Sequence, residues 1–390
     1  MNKRTKETVN EVSRRISEKT DDNIIGNELR MHRLNQNITL SSLSKDTCST
    51  SYLSKIETNR IVPNKLFLSE ICSKLSLDND NIDALINSKD NVKECIIAFL
   101  EGNIEFIKNI VDGNEGLINC RARIVEFIYY IIDNNLSSAT KIYNMLSRNI
   151  KSMGDFDLAV FCLFAGIYHF NTERFEEAKA ELKSLSDLTY DSDILLLRDL
   201  YIFYTDLKQS RVDSIIDYNI IYRKLGDLGY YKLMEKISYY LGIYFCKFKL
   251  ETGFLNVMNK IQNPVYINSL KFLFQYYKKS FGNVDYNKDE VSDFVKALMN
   301  VNKNKEYVSN ILENRVGKVE LDFDYYYIEY LLIDDKKKSD EIIDYFAPIV
   351  EVTSDEFLIN FFYDELIRYC EMEGRYKRIA DFHKIINKIR

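Results

Sequence analysis

The chain has 390 residues, of which 46% are hydrophobic and 29% charged, and its net charge is -6 at pH 7. That composition excludes a disordered chain, and the length exceeds one ordinary compact domain. Only 13 Gly and 3 Pro occur, too few for the tight turns of a strand-rich protein, so the expected fold class is all-α.

No run of about 18 apolar residues is present, so no membrane-spanning segment is expected. The opening MNKRTKETVNEVSRR lacks the apolar core of a secretory signal. A cytoplasmic protein with no membrane partner is expected. The seven cysteines, Cys48, Cys72, Cys95, Cys120, Cys162, Cys246 and Cys370, are widely spaced with no C-x-x-C pair, which suits free thiols in helical cores. Charge is uneven along the chain. Met1 to Leu75 holds 13 Lys+Arg against 9 Asp+Glu, or +4, and the remainder holds 40 against 50, or -10. A basic head on an acidic body fits a nucleic-acid contact confined to one end.

In chain order, residues 1–23 form an N-terminal extension. Val9, Val12 and Ile16 recur at helical spacing beside Arg14, Arg15 and Lys19. The segment reads as a frayed solvated helix or as an arm reaching to DNA.

Residues 24–78 read as four short helices. Ile25, Leu29 and Leu34 stripe the first. Thr39 is placed to cap a second helix over about 40–45, and Asp46-Thr47-Cys48 makes a turn. Ser49 caps a third helix over about 50–57, and a fourth runs over about 66–75. The third helix carries Thr50, Ser51, Tyr52 and Lys55 on one face and Leu53 and Ile56 on the other. Short polar side chains let a helix lie close to base edges in the major groove while its apolar face grips the core. Ser49, Thr50, Ser51, Tyr52 and Lys55 are therefore expected to meet DNA. Arg33, Thr39, Arg60, Asn64 and Lys65 lie at helix ends and loops, where phosphate contacts usually sit.

The run from Leu43 to Glu57, and SYLSKIE within it, resembles the helix-turn-helix of the Xre/Cro repressor superfamily. The turn is one residue shorter than the common glycine-containing form, with Cys48 in the turn region. That variant is similar to the Rgg/PlcR-type (RRNPP) peptide-sensing regulators of quorum sensing. Within this resemblance Glu57 is a structural residue that pairs with a basic partner or caps a turn.

Residues 79–94 read as a linker helix, and residues 95–390 as successive helix pairs. The clearest unit, Asp157 to Ser184, has Gly166 for close packing, Phe175 after a polar turn and Ala178 at the helix crossing. It resembles a tetratricopeptide repeat. Looser units contain Leu136 and Ala139, Gly242, and Gly374 with Tyr376 and Ala380. Turns are expected near Gly102, Asn134, Glu173, Gln209, Gly253, Gly282, Asp335 and Gly374. Stacked pairs of this kind form a superhelix with a concave surface able to hold an extended peptide. The first helix of each tetratricopeptide pair faces inward. Carrying that position over suggests Asn171, Tyr239, Lys247, Tyr276, Asp364 and Arg368 as peptide-binding residues.

His32, His169 and His383 lie far apart, and no nucleophile elbow, phosphate loop or dinucleotide fingerprint is present. No enzyme activity, cofactor or metal is expected. The resemblance implies a transcription regulator that works as a homodimer on two DNA half-sites and is controlled by a short imported signalling peptide. Two alternatives are a repeat scaffold for a protein partner and a dimeric regulator without a ligand.

Overall fold

The computed structural model describes all residues except 19–24, 59, 62, 78, 115–118, 190, 210–213, 279–286, 315–324, 334–342, 349, 351–354 and 390. Among the described residues the regular elements are helical and there is no strand. The all-α expectation holds. No described helix is long and apolar enough to cross a membrane.

The chain divides into two compact units, residues 1–202 and 203–390. The first contains α1 (Lys3–Glu18), α2 (Ile25–Asn35), α3 (Leu40–Ser44), α4 (Thr50–Glu57) and α5 (Lys65–Lys74). It continues with α6 (Asn79–Glu101), α7 (Ile104–Gly113), α8 (Cys120–Ile132), α9 (Leu136–Leu146), α10 (Asp155–Asn171) and α11 (Phe175–Ser184). The division falls within α12 (Ser192–Lys208). The boundaries expected at 78 and 94 therefore do not mark the compact units. The expected linker is the first part of one helix, α6, that runs on to Glu101.

The head, α2 to α5, closes on Leu29, Leu43, Leu53, Ile56, Phe67, Ile71, Cys72 and Leu75. Local chemistry sets its helix starts. Thr39, Ser49 and Asn64 cap α3, α4 and α5 by accepting the backbone N–H of Ser42, Tyr52 and Phe67 at 3.1, 3.1 and 2.8 Å. Each such cap contributes about 1 kcal/mol.

The helix pairs after α6 follow the repeat reading. In α10 and α11 a side chain at Gly166 would come within 2.6 Å of Leu182, so only glycine allows the observed approach. Ala178 and Ala139 are fully buried where they cross their partner helices. Left-handed turns occur at Gly102, Asn134, Glu173 and Gly374, as the spacing predicts.

The second unit holds α13 (Ser214–Asp227), α14 (Tyr231–Lys247), α15 (Glu251–Met258), α16 (Pro264–Lys278), α17 (Asp293–Asn300), α18 (Lys305–Asn314), α19 (Tyr325–Leu332), α20 (Glu356–Met372) and α21 (Tyr376–Ile389). The expected turn at Gly253 is corrected: Gly253 lies inside α15, and the left-handed residue is Lys249. Gly253 is needed because a side chain there would meet the Phe245 ring at 2.7 Å. Gly242 lets Leu270 of α16 close on α14 in the same way. Ala380 is exposed, and α21 buries Phe382 instead. The expected turns at Gly282 and Asp335 lie outside the described residues.

Within the N-terminal extension, Lys3–Glu18 is a packed helix and not a frayed solvated one. This helix, α1, packs along α10 and α11 and touches the 3-10 turn Ile150–Ser152.

Candidate nucleic-acid interface and ligand site

In the head, α3, a turn and α4 form a helix-turn-helix. The turn has no glycine. Asp46 takes the left-handed φ of 64°, which a short polar side chain tolerates. Ser44 O accepts the N–H of Thr47 and Cys48. The ammonium of Lys74 on α5 closes the turn from below, donating to the carbonyls of Leu43 and Lys45 and to Thr47 Oγ1. Leu53 and Ile56 are fully buried, so the rotation of α4 is fixed.

That rotation leaves Ser49, Thr50, Ser51 and Lys55 exposed. Thr39, Arg60 and Asn64 are exposed around them, with Thr39 and Asn64 also serving as caps. Lys65 opens α5, but its side chain lies outside the described residues. Tyr52 is half-buried, its ring edge-on to Phe67 at 5.3 Å, and is partly a core residue.

Arg33 is a correction. Its side chain is 8% exposed, and its guanidinium grips Glu57 through two bonds of 2.7 and 2.8 Å. It also donates to Ile38 O at 2.9 Å. With its donors turned inward it is not free to hold a phosphate. The same pair gives Glu57 the basic partner that the sequence left open. A fork against a carboxylate is the strong geometry for a buried pair, and it ties α2 to the end of α4.

In the second unit a small open cleft is lined by Leu207, Lys208, Tyr240, Ile243, Tyr244, Lys247 and Asp355. Tyr240, Ile243, Tyr244 and Lys247 recur at i, i+3, i+4 and i+7, one stripe of α14. Lys247 Nζ stands 3.7 Å from Asp355 and 5.1 Å from the centre of the Phe357 ring. Asp355 also caps α20, accepting the N–H of Phe357 and Leu358 at 2.9 and 3.3 Å. The site thus offers ammonium, carboxylate and phenol groups on an aromatic floor. Extending the helical stripe back from Lys247 finds its tyrosines. Lys208 and Asp355 arrive from other elements and carry no local signal.

Two other expected ligand residues, Tyr276 and Arg368, lie outside the lining of this cleft. Tyr277 packs on Phe357 at 5.7 Å, and its neighbour Tyr276 bonds Tyr327 through the hydroxyls at 2.8 Å. Burial raises the Tyr276 pKa, and the bond to Tyr327 opposes this. Arg368 pairs with Glu365 at 2.6 Å. Glu365 also holds the hydroxyl of Tyr330, whose ring meets Phe361 at 5.3 Å. Asp364 is exposed on α20. Tyr239 is corrected: it is 1% exposed and stacks on Tyr266 at 4.3 Å. One residue before Tyr240, it is turned about 100° away from the cleft. Asn171 ends α10 in the first unit and is half-buried there.

No group of three or more His, Cys, Asp or Glu side chains able to hold a metal occurs among the described residues.

Known proteins offer distant likenesses. No protein-family profile matches the chain, and no curated protein sequence matches it. Among solved structures it is similar to Bacillus thuringiensis PlcR in complex with the peptide PapR7 and DNA. That match has 16% identity and a TM-score of 0.34, and covers 67% of this chain and 99% of the other. It is also similar to the Streptococcus dysgalactiae SHP pheromone receptor Rgg2, with 14% identity, 55% and 97% coverage and a TM-score of 0.26. A cysteine-to-serine variant of Rgg2 matches with a TM-score of 0.25.

Proposed function

We propose that this chain is a DNA-binding transcription regulator that acts as a homodimer and is controlled by a short signalling peptide held in its helical repeats. The observation that carries the reading is the set of α4 around its buried pair. Leu53 and Ile56 are sealed in the head while Ser49, Thr50, Ser51 and Lys55 stand exposed. A capped helix with a thin polar outer face is what a major groove admits. Thr39, Arg60, Asn64 and Lys65 flank it as backbone contacts.

One head reads few bases, so two heads on two half-sites supply the specificity. The cleft beside Lys247 and Asp355 suits a peptide. The Lys247–Asp355 pair would have to exchange partners to meet a peptide's carboxylate and ammonium, and the tyrosines would meet an apolar side chain. Binding there shifts the balance between DNA-competent and incompetent states by its differential affinity for the two. This is gene control by a peptide signal, as in quorum sensing, and assigns the protein no catalytic role.

The test is selection of genomic fragments by the purified protein, followed by footprinting with and without extract of dense culture medium. Two protected half-sites that change with the extract are expected. Lys55→Ala is expected to weaken specific binding about tenfold or more, in line with about 1–3 kcal/mol for a good base contact, with an unchanged helical spectrum. Wild-type affinity in that variant would remove α4 from the interface. Protection indifferent to the extract would favour the protein-partner scaffold or the ligand-free dimer.

A further inference from the structure

Helix α1 buries Thr5, Thr8, Val12 and Arg15, a stripe at i, i+3, i+7 and i+10. Three of the four are polar. Thr5 Oγ1 lies 3.4 Å from His169 Nε2, and the same nitrogen lies 3.3 Å from the Tyr143 hydroxyl. Beneath them His169 Nδ1 and both carboxyl oxygens of Glu181 are buried with no well-formed hydrogen bond to another protein group. The Thr8 hydroxyl is the α1 group that relieves Glu181, yet it already donates to Arg4 O. Water would satisfy these atoms, and α1 is one of the elements packed over them. A seam of this kind opposes its own closure, which places α1 at the low end of local stability.

The far end of α1 holds a clamp. Arg15 donates to Glu11 at 3.0 Å, to Asp155 at 2.9 Å and to Ile150 O at 3.0 Å. Ile150 opens the 3-10 turn Ile150–Ser152, and α2 rests on that turn and on α8. Helix α2 is buried on two sides. Leu29 enters the head core, while Met31, half a turn away, is 3% exposed and outside that core.

We infer that α1 is a releasable clasp that sets the placement of the head. Docked, it holds through Arg15 the turn that seats α2. Released, it lets water reach His169 and Glu181 and frees α2 from a fixed seat. The regulatory meaning rests on the DNA-binding reading, but the mechanical claim does not.

Hydrogen exchange on the full chain tests it. In the wild type, amides of α1 are expected to exchange at least tenfold faster than those of 158–170. Arg15→Gln is expected to speed exchange tenfold or more at 150–155 and 25–35, with 65–74 unchanged. Glu181→Met, which removes the unmet carboxyl at similar volume, is expected to slow exchange in α1 several-fold. Where Arg15→Gln does not fold, Asp155→Asn loosens the same clamp from the other side and the same shift at 25–35 is expected. Equal exchange in α1 and 158–170 would overturn the clasp, as would release of α1 with no change at 25–35. Fragment selection run in parallel separates the two readings. The exchange pattern without any selected DNA supports the clasp and overturns the DNA-binding head.

Discussion

Two helices lie against α10, and they hold to it by opposite means. Helix α11 meets it mainly through apolar packing, with Leu182 filling the notch above Gly166 and Ala178 fully buried, while its Glu181 is buried toward Thr8 of α1. Helix α1 meets it through hydroxyls, an imidazole and an arginine clamp. Among the described residues of α1, Val12 is the one fully buried apolar side chain. Close apolar packing gives a joint that stays shut. Each unmet buried polar group costs about 1–3 kcal/mol, so a polar seam gives a joint that opens more readily. One helix of the pair belongs to the framework, and the other can respond to conditions.

The largest expected effect lies in the apolar joint. Leu182→Ala empties the Gly166 notch and is expected to cost about 2–5 kcal/mol, read from urea denaturation of the full chain. A loss below about 1 kcal/mol would mean that α10 and α11 repack freely, and the contrast with α1 would fail.

The second effect is a pH dependence in the polar seam. Burial holds the Glu181 pKa well above its usual 4.5, with Thr8 opposing. Its stabilising contribution is complete below 4.5 and is lost as pH rises to the folded value. Burial, with help from Arg174, lowers the His169 pKa from 6.5 to about 3. Its contribution is complete above 6.5 and is lost as pH falls. Above pH 4.5 and below pH 6.5 these two slopes oppose. Glu181→Gln removes one of them. Relative to wild type, the variant is expected to lose stability toward acid by up to about 1.4 kcal/mol per pH unit, the limit for one proton. Denaturation of both proteins at pH 6.5, 5.5 and 4.5 gives the difference, in which the shared carboxylates drop out. A difference independent of pH would show that Glu181 is not held protonated.

The smallest effect is Val12→Ala. By its two lost methyls it is worth about 1.5 kcal/mol, and the loss is expected to stay within α1. Hydrogen exchange should quicken in α1 and remain unchanged in α11. Spread of the effect into α11 would make the two joints one cooperative unit.

The head was the most legible region because its signals are local. Thr39 and Ser49 cap helices that start one residue after them, as their position suggests, and Leu53 and Ile56 fix the outer face of α4 by spacing alone. Arg33 was misleading because its partner, Glu57, is brought to it by the fold. A long cation at a helix end looks the same in sequence whether it faces phosphate or a buried carboxylate.

Helix α1 was misleading for another reason. Its apolar residues Val9, Val12 and Ile16 suggest one stripe, yet Ile16 is 40% exposed and the buried stripe is mostly polar. Hydropathy cannot reveal a face whose partners are an imidazole and a carboxyl. In the second unit, helical register kept Lys247 at the cleft and turned Tyr239 away. Asp355, the partner of Lys247, is supplied by a distant part of the chain.

Helix α6 has a mechanical consequence. Its 23 residues run without a break from the end of the head to the first repeats, a rod about 34 Å long at 1.5 Å per residue. Val92, Cys95, Ile96, Ala98 and Leu100 anchor its far part in the body of the first unit. A rod gripped at one end is a lever: gripped from Val92 onward, it leaves about 20 Å free, so a tilt of about 10° at the grip moves its head end by about 3 Å.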